Sequence, residues 1–243
     1  MTGPAGGEAG WKQLTSGRTH RFTPWKFNWL ANHKLIRALE RARAVARGEL
    51  LDVGCGSRPF AYLFEGRVRR YWGTDLVVRR PAGPEPPDAY ARAEAQPFRA
   101  ATFDTVLGLS LVNYLPDPGA AIEEAARVLK PGGVLIFEFA QMVPVEYEPH
   151  DYFRFTRHGA EHLLRRAGLE PIEFIPVGGL WARVGLSMIG GLNRLNRGPT
   201  RVLTEVPVRL LYVALQLGFE LLDRLFFDPR EVLAHLVVAR RAR

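Results

Sequence analysis

An α/β fold, with a mostly parallel sheet doubly wound by helices on both faces, is predicted by three observations. Short apolar runs recur along the 243 residues and alternate with helical patterns. The first run, Leu50-Leu51-Asp52-Val53, leads straight into Gly54-Cys55-Gly56, the pattern of a buried strand entering a tight turn and a helix. The second, Tyr71-Trp72-Gly73-Thr74-Asp75-Leu76, places an acid about 20 residues beyond the glycines, where a carboxylate can bind ribose hydroxyls. Glycine lets the turn approach a ligand closely. The following helix is expected to aim its N-terminus at the same point, which suits a polar or anionic group. Together these segments predict a nucleoside-binding βαβ unit.

The elements follow in order. Residues 1–23 are expected to be a flexible segment. A helix over 24–47 is expected to place Trp25, Trp29, Leu30, His33, Ile36, Leu39 and Val45 near one face, and Gly48 ends it. Next come a strand at 49–53, a short helix around Phe60–Phe64, a strand at 68–74 and a proline-rich loop at 79–88. Phe103–Leu109 reads as a strand. Asp117 before Pro118 is an N-cap for a helix reaching Lys130. Pro131-Gly132-Gly133 is read as a stop before the strand Val134–Phe139. A helix at 157–167 closes at Gly168, and strands follow at 170–177 and 233–239. Between these last two lie residues 178–230, glycine-rich at first and apolar from Val206 to Phe227. A connection usually needs only a few residues, so this is an inserted helical segment.

Composition narrows the classes. A hydrophobic content of 47% is ample for a core and excludes a disordered chain. The net charge of +8 is nearly all arginine, scattered without a basic helix or an aromatic-interleaved stripe, so a nucleic-acid partner is not expected. A single cysteine, Cys55, excludes internal disulfides and cysteine-based metal sites and fits a reducing, cytoplasmic setting. No metal is expected. Met1–Gly10 lacks the apolar stretch of a signal peptide, and no uncharged run suits an ordinary spanning helix.

The ordered motifs resemble those of class I S-adenosylmethionine-dependent methyltransferases, specifically the broad type 11 group, over residues 49–177 and 231–239. Leu51-Asp52-Val53-Gly54-Cys55-Gly56-Ser57 resembles the first motif and Gly73-Thr74-Asp75-Leu76 the second. Ala93-Glu94-Ala95-Gln96-Pro97-Phe98 with Phe103-Asp104-Thr105-Val106 resembles the stretch that passes the adenine. Arg127-Val128-Leu129-Lys130-Pro131-Gly132-Gly133 resembles the hallmark helix-to-strand turn. The resemblance implies a Rossmann-like seven-stranded sheet with an antiparallel last strand, and S-adenosyl-L-methionine as cofactor. It implies cofactor contacts at Asp52, Gly54, Cys55, Gly56, Asp75, Leu76, Ala93, Glu94, Ser110 and Asn113, with Asp75 on both ribose hydroxyls. Three positions depart from the family. Arg92 stands where an acid often accepts from adenine, leaving Glu94, a backbone carbonyl, or packing at Ala93 and Phe98 to hold the base. Asn113-Tyr114 replaces a Glu-His pair, and Arg58-Pro59 replaces the third glycine of the first motif.

The loop Glu148-Pro149-His150-Asp151-Tyr152-Phe153-Arg154-Phe155-Thr156 lies at the carboxyl end of the sheet, where open α/β folds bind ligands. It resembles a segment of a type 11 subgroup acting on glycans and lipid-linked substrates. His150 is a candidate general base, with Asp151, Tyr152 and Arg154 as its companions. The competing reading pairs Asp151 with Arg154 and makes Thr156 a helix cap. Trp11, Trp25, Trp29 and His33 read either as a lid or as a helix packed on the sheet. Residues 178–230 read as a substrate cap, a peripheral membrane contact, a homodimer contact or a packed subdomain. Arg194, Arg197 and Arg201 beside them favour an anionic partner surface.

The expected domains are thus the flexible segment 1–23, a methyltransferase domain at 24–177 and 231–243, and the insertion 178–230. The expected activity is methyl transfer to a small-molecule, sugar or lipid-linked acceptor at oxygen or nitrogen. Three alternatives stay open. One is a non-catalytic nucleoside-binding or membrane-associated adaptor. An NAD(P)-dependent oxidoreductase is disfavoured by Pro59 at the last glycine position. A nucleic-acid methyltransferase lacks its Asn-Pro-Pro-Tyr-like tetrad or nucleophilic cysteine.

Overall fold

The computed structural model describes residues 23–76, 86–195 and 201–242. The expected flexible N-terminal segment with Trp11, most of the proline-rich loop, Arg197 and the side chain of Arg201 lie outside the described residues. Seven strands form one sheet in the order β3-β2-β1-β4-β5-β7-β6. They are β1 (Glu49–Val53), β2 (Arg70–Asp75), β3 (Ala89–Tyr90), β4 (Phe103–Gly108), β5 (Leu129–Ala140), β6 (Leu169–Val177) and β7 (Ala234–Arg241). The pairs β1/β2, β1/β4, β2/β3 and β4/β5 are parallel, whereas β7 lies antiparallel between β5 and β6. The order reverses between β1 and β4, and such a switch point opens a crevice at the strand carboxyl ends.

Helices α1 (Trp29–Ala42), α2 (Pro118–Val128) and α3 (Arg157–Arg166) cover the sheet, and α4 (Leu180–Leu195) with α5 (Arg201–Leu225) forms the insertion. Both helix starts proposed from sequence around the site carry caps: Asp117 accepts from Ala120 N and Thr156 from Gly159 N. One core layer packs α2 and α3 on the sheet through Ile122, Ala125, Ala160 and Leu164. The opposite layer packs α1 through Leu35, Ala38, Leu39 and Ala42 against Leu50, Ile136 and Val238.

Four sequence expectations change. The helix after Gly56 is a single 3-10 turn at Ala61–Leu63, because Pro59 and Gly66 leave no room for several turns between β1 and β2. No helix N-terminus therefore faces the glycine turn there. The helix expected over 24–47 is shorter: α1 spans only Trp29–Ala42, so Trp25 and Val45 fall outside it and are exposed, while Leu30 and Leu39 of the expected face are buried together with Leu35, Ala38 and Ala42, because α1 packs against both the sheet and the insertion. Strand β5 begins at Leu129 and runs through Pro131-Gly132-Gly133, the irregularity being absorbed by a register shift against Phe103 and Thr105. The two-residue β3 carries too short a pattern to be read from sequence.

Candidate active site

The site begins at the switch point. Gly54 (φ 74°) turns the chain out of β1, and its amide and that of Cys55 both donate to Thr74 O, at 2.8 and 3.0 Å. A side chain at Gly54 would collide with Leu111 Cδ1 at 2.9 Å, so the segment after β4 closes directly on the turn. Asp75, at the end of β2, accepts from Gly56 N through Oδ2 and from its neighbour Leu76 N through Oδ1, both at 2.7 Å. The sequence-predicted turn and acid are therefore in direct contact. Leu76 is half-exposed beside them.

Asp52 is buried below the turn and accepts from Tyr71 Oη at 2.5 Å. Burial, with a smaller push from the Asp75 charge, raises its carboxyl to about 7 against the opposing pull of the Tyr71 hydroxyl and Arg58. The buried Cys55 thiol is pushed far up by desolvation and by the charges of Asp52 and Asp75, so it stays protonated and serves packing. Arg58 takes a positive φ of 55° in place of the family's glycine and reaches Asp88 at 2.8 Å.

In the stretch that the resemblance assigns to adenine, Ala93 is buried, and Gln96 accepts from Thr74 Oγ1 through its side chain and donates to Glu124 through its backbone amide. Glu94 pairs with Arg92 at 3.3 Å, so the departure at Arg92 comes with a carboxylate beside it. Phe98, partly buried, packs edge-on against Trp72 and Phe103.

The other wall is built from the segments after β4 and β5. Ser110 (φ 47°) donates through N and Oγ to Glu138 Oε2, at 2.9 and 3.1 Å. Burial raises the Glu138 carboxyl above its ordinary range, against the two Ser110 donors, with the nearby Glu146 adding to the rise. Asn113 is buried and its carbonyl accepts from Tyr152 N and Phe153 N, at 2.9 and 3.2 Å, which ties the loop after β5 to the segment after β4. Within that loop Arg154 grips both oxygens of Asp151, at 2.5 and 2.7 Å, and donates to the carbonyls of Val143 and Pro144. The Asp151 side chain is only 1% exposed, and the Arg154 guanidinium holds its carboxyl low.

What that pair holds in place is an aromatic wall. Tyr114, Tyr147, His150 and Tyr152 follow one another with ring centroids 5.8, 5.8 and 6.3 Å apart. Nδ1 of His150 is 3.2 Å from Tyr152 Oη. Tyr114 Oη donates to Glu146, whose carboxyl is raised by desolvation against this ring and by Asp151. Sequence reasoning missed Glu138 and Glu146. Glu138 did carry a signal, a lone carboxylate inside the apolar run Val134–Phe139. Glu146 carried none.

The match to known proteins agrees with this geometry. Residues 51–137, the span from β1 to β5, match the family described as "Methyltransferase domain". The chain carries a class I S-adenosylmethionine-dependent methyltransferase domain. An O-methyltransferase of ubiquinone biosynthesis from Acinetobacter baumannii is 26% identical over 195 residues, 65% of this chain and 76% of that one. Its Ruegeria pomeroyi counterpart is 28% identical, over 67% of this chain and 79% of that one. The fold recurs in a candidate methyltransferase from Bacillus halodurans (TM-score 0.52, 18% identity, covering 86% and 99% of the two chains). It recurs also in a candidate methyltransferase solved with the Trm112 activator of Haloferax volcanii (TM-score 0.56, 19% identity, 98% and 96%).

The methyltransferase uses S-adenosylmethionine. The residues present suit that group. Each Asp75 oxygen accepts one backbone N–H and retains a lone pair for a ribose hydroxyl.

Proposed function

We propose that this methyltransferase methylates a hydroxyl of a small, largely apolar acceptor held against the Tyr114–Tyr147–His150–Tyr152 wall. The observation that carries the reading is how that wall is held: Asn113 and the Asp151–Arg154 pair fix it at the ends of β4 and β5, and Tyr114 is bonded to Leu111, which closes on Gly54. The O-methyltransferase relatives, which act in ubiquinone biosynthesis, support oxygen over nitrogen and a ring-bearing acceptor over a sugar.

In this reading Asp75 orients the nucleoside and the Gly54–Gly56 backbone faces the methionine end. When bound, S-adenosylmethionine supplies a methyl on a positively charged sulfur, and the C–S electron pair stays with the sulfur as the methyl leaves. The ring of His150, oriented through Nδ1 by Tyr152, takes the proton from the acceptor hydroxyl as its oxygen bonds the methyl carbon. Tyr114, Tyr147 and Tyr152 shape the acceptor slot and exclude water, so positioning supplies most of the acceleration. Asp151 and Arg154 touch each other rather than the acceptor and act as positioning residues.

A panel of phenols, catechols, sugars and amines, with labelled S-adenosylmethionine, tests the acceptor class. On the best phenol, His150→Ala is expected to lower kcat about 10²-fold near neutral pH with recovery at high pH, and to leave S-adenosylhomocysteine affinity unchanged. Turnover confined to amines, or a kcat and pH profile untouched by the substitution, would overturn the assignment.

A further inference from the structure

Glu138, near the end of β5, uses only half of its carboxylate within the chain. Both Ser110 donors fall on Oε2, and among the described residues no donor reaches Oε1. The residue is partly exposed, and Oε1 is not an enclosed atom. Ser110 needs the clamp, because its φ of 47° is costly for a residue with a side chain. One oxygen with two lone pairs supplies it, so an amide at this position would hold Ser110 as well without bringing a charge into a half-buried place. The second oxygen and the charge call for a partner that the chain does not provide.

The surroundings leave that charge uncompensated. The charged group acting on Glu138 is Glu146, a second acid, which with burial holds the Glu138 carboxyl above its ordinary range. Arg154, the base in the loop after β5, is engaged by Asp151 and by backbone carbonyls. The strand register shows what Glu138 can reach. Asp52, Leu107 and Ile136 lie in one row across β1, β4 and β5, and the same count sets Gly54, Leu109 and Glu138 level two residues further on. The bonds to Ser110 draw the Glu138 carboxyl over the end of β4, one strand spacing, about 5 Å, from the end of β1. Leu111, next to Ser110, closes on Gly54. The open oxygen thus belongs to the crevice at the switch point, beside the glycine turn.

We propose, resting on the placement above in which the Gly54–Gly56 backbone faces the methionine end, that Glu138 receives the amino group of the cofactor through Oε1. That amino group is a cation with three N–H donors, which matches a carboxylate oxygen with free lone pairs. The sulfonium carries charge but no donor and would leave those lone pairs unmet. Glu138 then has two tasks, one for each oxygen: Oε2 shapes the segment after β4, and Oε1 selects for an amino acid on the nucleoside.

The test needs no acceptor, so it is independent of the acceptor class proposed above. Full-length protein is titrated by calorimetry with S-adenosylhomocysteine and with its desamino analogue, which differs only in lacking the amino group. Wild type is expected to bind S-adenosylhomocysteine at least about 10-fold tighter than the analogue, the worth of one hydrogen bond between charged groups. Glu138→Gln keeps an oxygen for Ser110 and is expected to bind S-adenosylhomocysteine roughly 10-fold more weakly while the analogue's affinity stays the same. A wild type that binds the two ligands equally, or a variant that weakens both alike or neither, overturns the proposal; loss of both alike would make Glu138 a clamp for Ser110 and nothing more. Asp75→Ala, felt by both ligands through the ribose, checks the placement separately. Unchanged binding in that variant faults the placement and the proposal with it, whereas an unchanged preference in Glu138→Gln faults the Glu138 contact alone.

Discussion

Replacing Asp75 by alanine tests the placement of the cofactor most directly. Its carboxylate already accepts two backbone N–H groups at 2.7 Å, from Gly56 and Leu76, and offers two further lone pairs to the ribose diol. Hydrogen bonds to a charged acceptor contribute about 1.5–3 kcal/mol each. Asp75 is only half-buried, so the lower figure applies, and two such bonds give about 3 kcal/mol, or roughly 150-fold in Kd. Losing the Gly56 contact costs the fold less, about 1 kcal/mol, because that amide then meets water. Asp75→Asn, which keeps one accepting oxygen, should weaken binding by roughly 10-fold. Calorimetric titration with S-adenosylhomocysteine reads the affinity, and thermal unfolding without ligand reads the fold. An alanine variant with a near-unchanged melting point and an affinity within a small factor of wild type would refute the reasoning, since the diol would have to lie elsewhere.

Two further outcomes are expected. Asp52 holds a proton in the native state up to about pH 7, whereas the unfolded carboxyl releases it near 3.8. Native protein therefore binds more protons between these values, and stability from this group falls as pH rises through that window. Asp52→Asn, which mimics the neutral form, should gain melting temperature over wild type as pH goes from about 5 to 8; a pH-independent difference would show that Asp52 is ionised throughout. Arg154→Lys cannot match a guanidinium that holds both Asp151 oxygens and two carbonyls. It should cost about 1–3 kcal/mol, open residues 144–153 to limited proteolysis, and lower kcat without changing cofactor affinity. Unchanged turnover would detach the loop from acceptor positioning.

The sheet was legible wherever an apolar run ends at a glycine or an acid. Val53-Gly54 and Thr74-Asp75 mark their own strand ends, and the structure brings the turn and the acid into direct contact, so fold and candidate site were read from one signal. Tertiary effects hid the rest. Pro131-Gly132-Gly133 has the composition of a break, yet β4 pairs on both sides of it, β7 pairs directly after it, and β5 is carried through. Trp25 and Val45 continue the helical spacing of the buried residues, but α1 stops short of both, and Leu30 within it is covered by Ala182 of the insertion, distant in sequence. In the loop after β5 the residues were legible and their roles were not. The three-residue spacing of Asp151 and Arg154 fits either mutual pairing or service to a ligand, and only the contacts to Val143, Pro144 and Glu146 show that the pair holds the loop.

The ion pairs of Lys34 with Glu220 and Asp223 explain why the insertion can be both foreign to the sheet and rigid on it. Burial alone would raise Glu220, but contacts with His33, Lys34 and Arg224 outweigh it and hold the carboxyl at about 2. Asp223 meanwhile supplies the acceptor that the first turn of α4 lacks, from the opposite helix of the hairpin. A buried ion cluster adds little net stability over an apolar contact of the same shape, but it penalises misplacement heavily, because shifting α5 would strand a charge without its partner. The network thus fixes which face of α5 turns inward, and the apolar face presented outward follows from that choice.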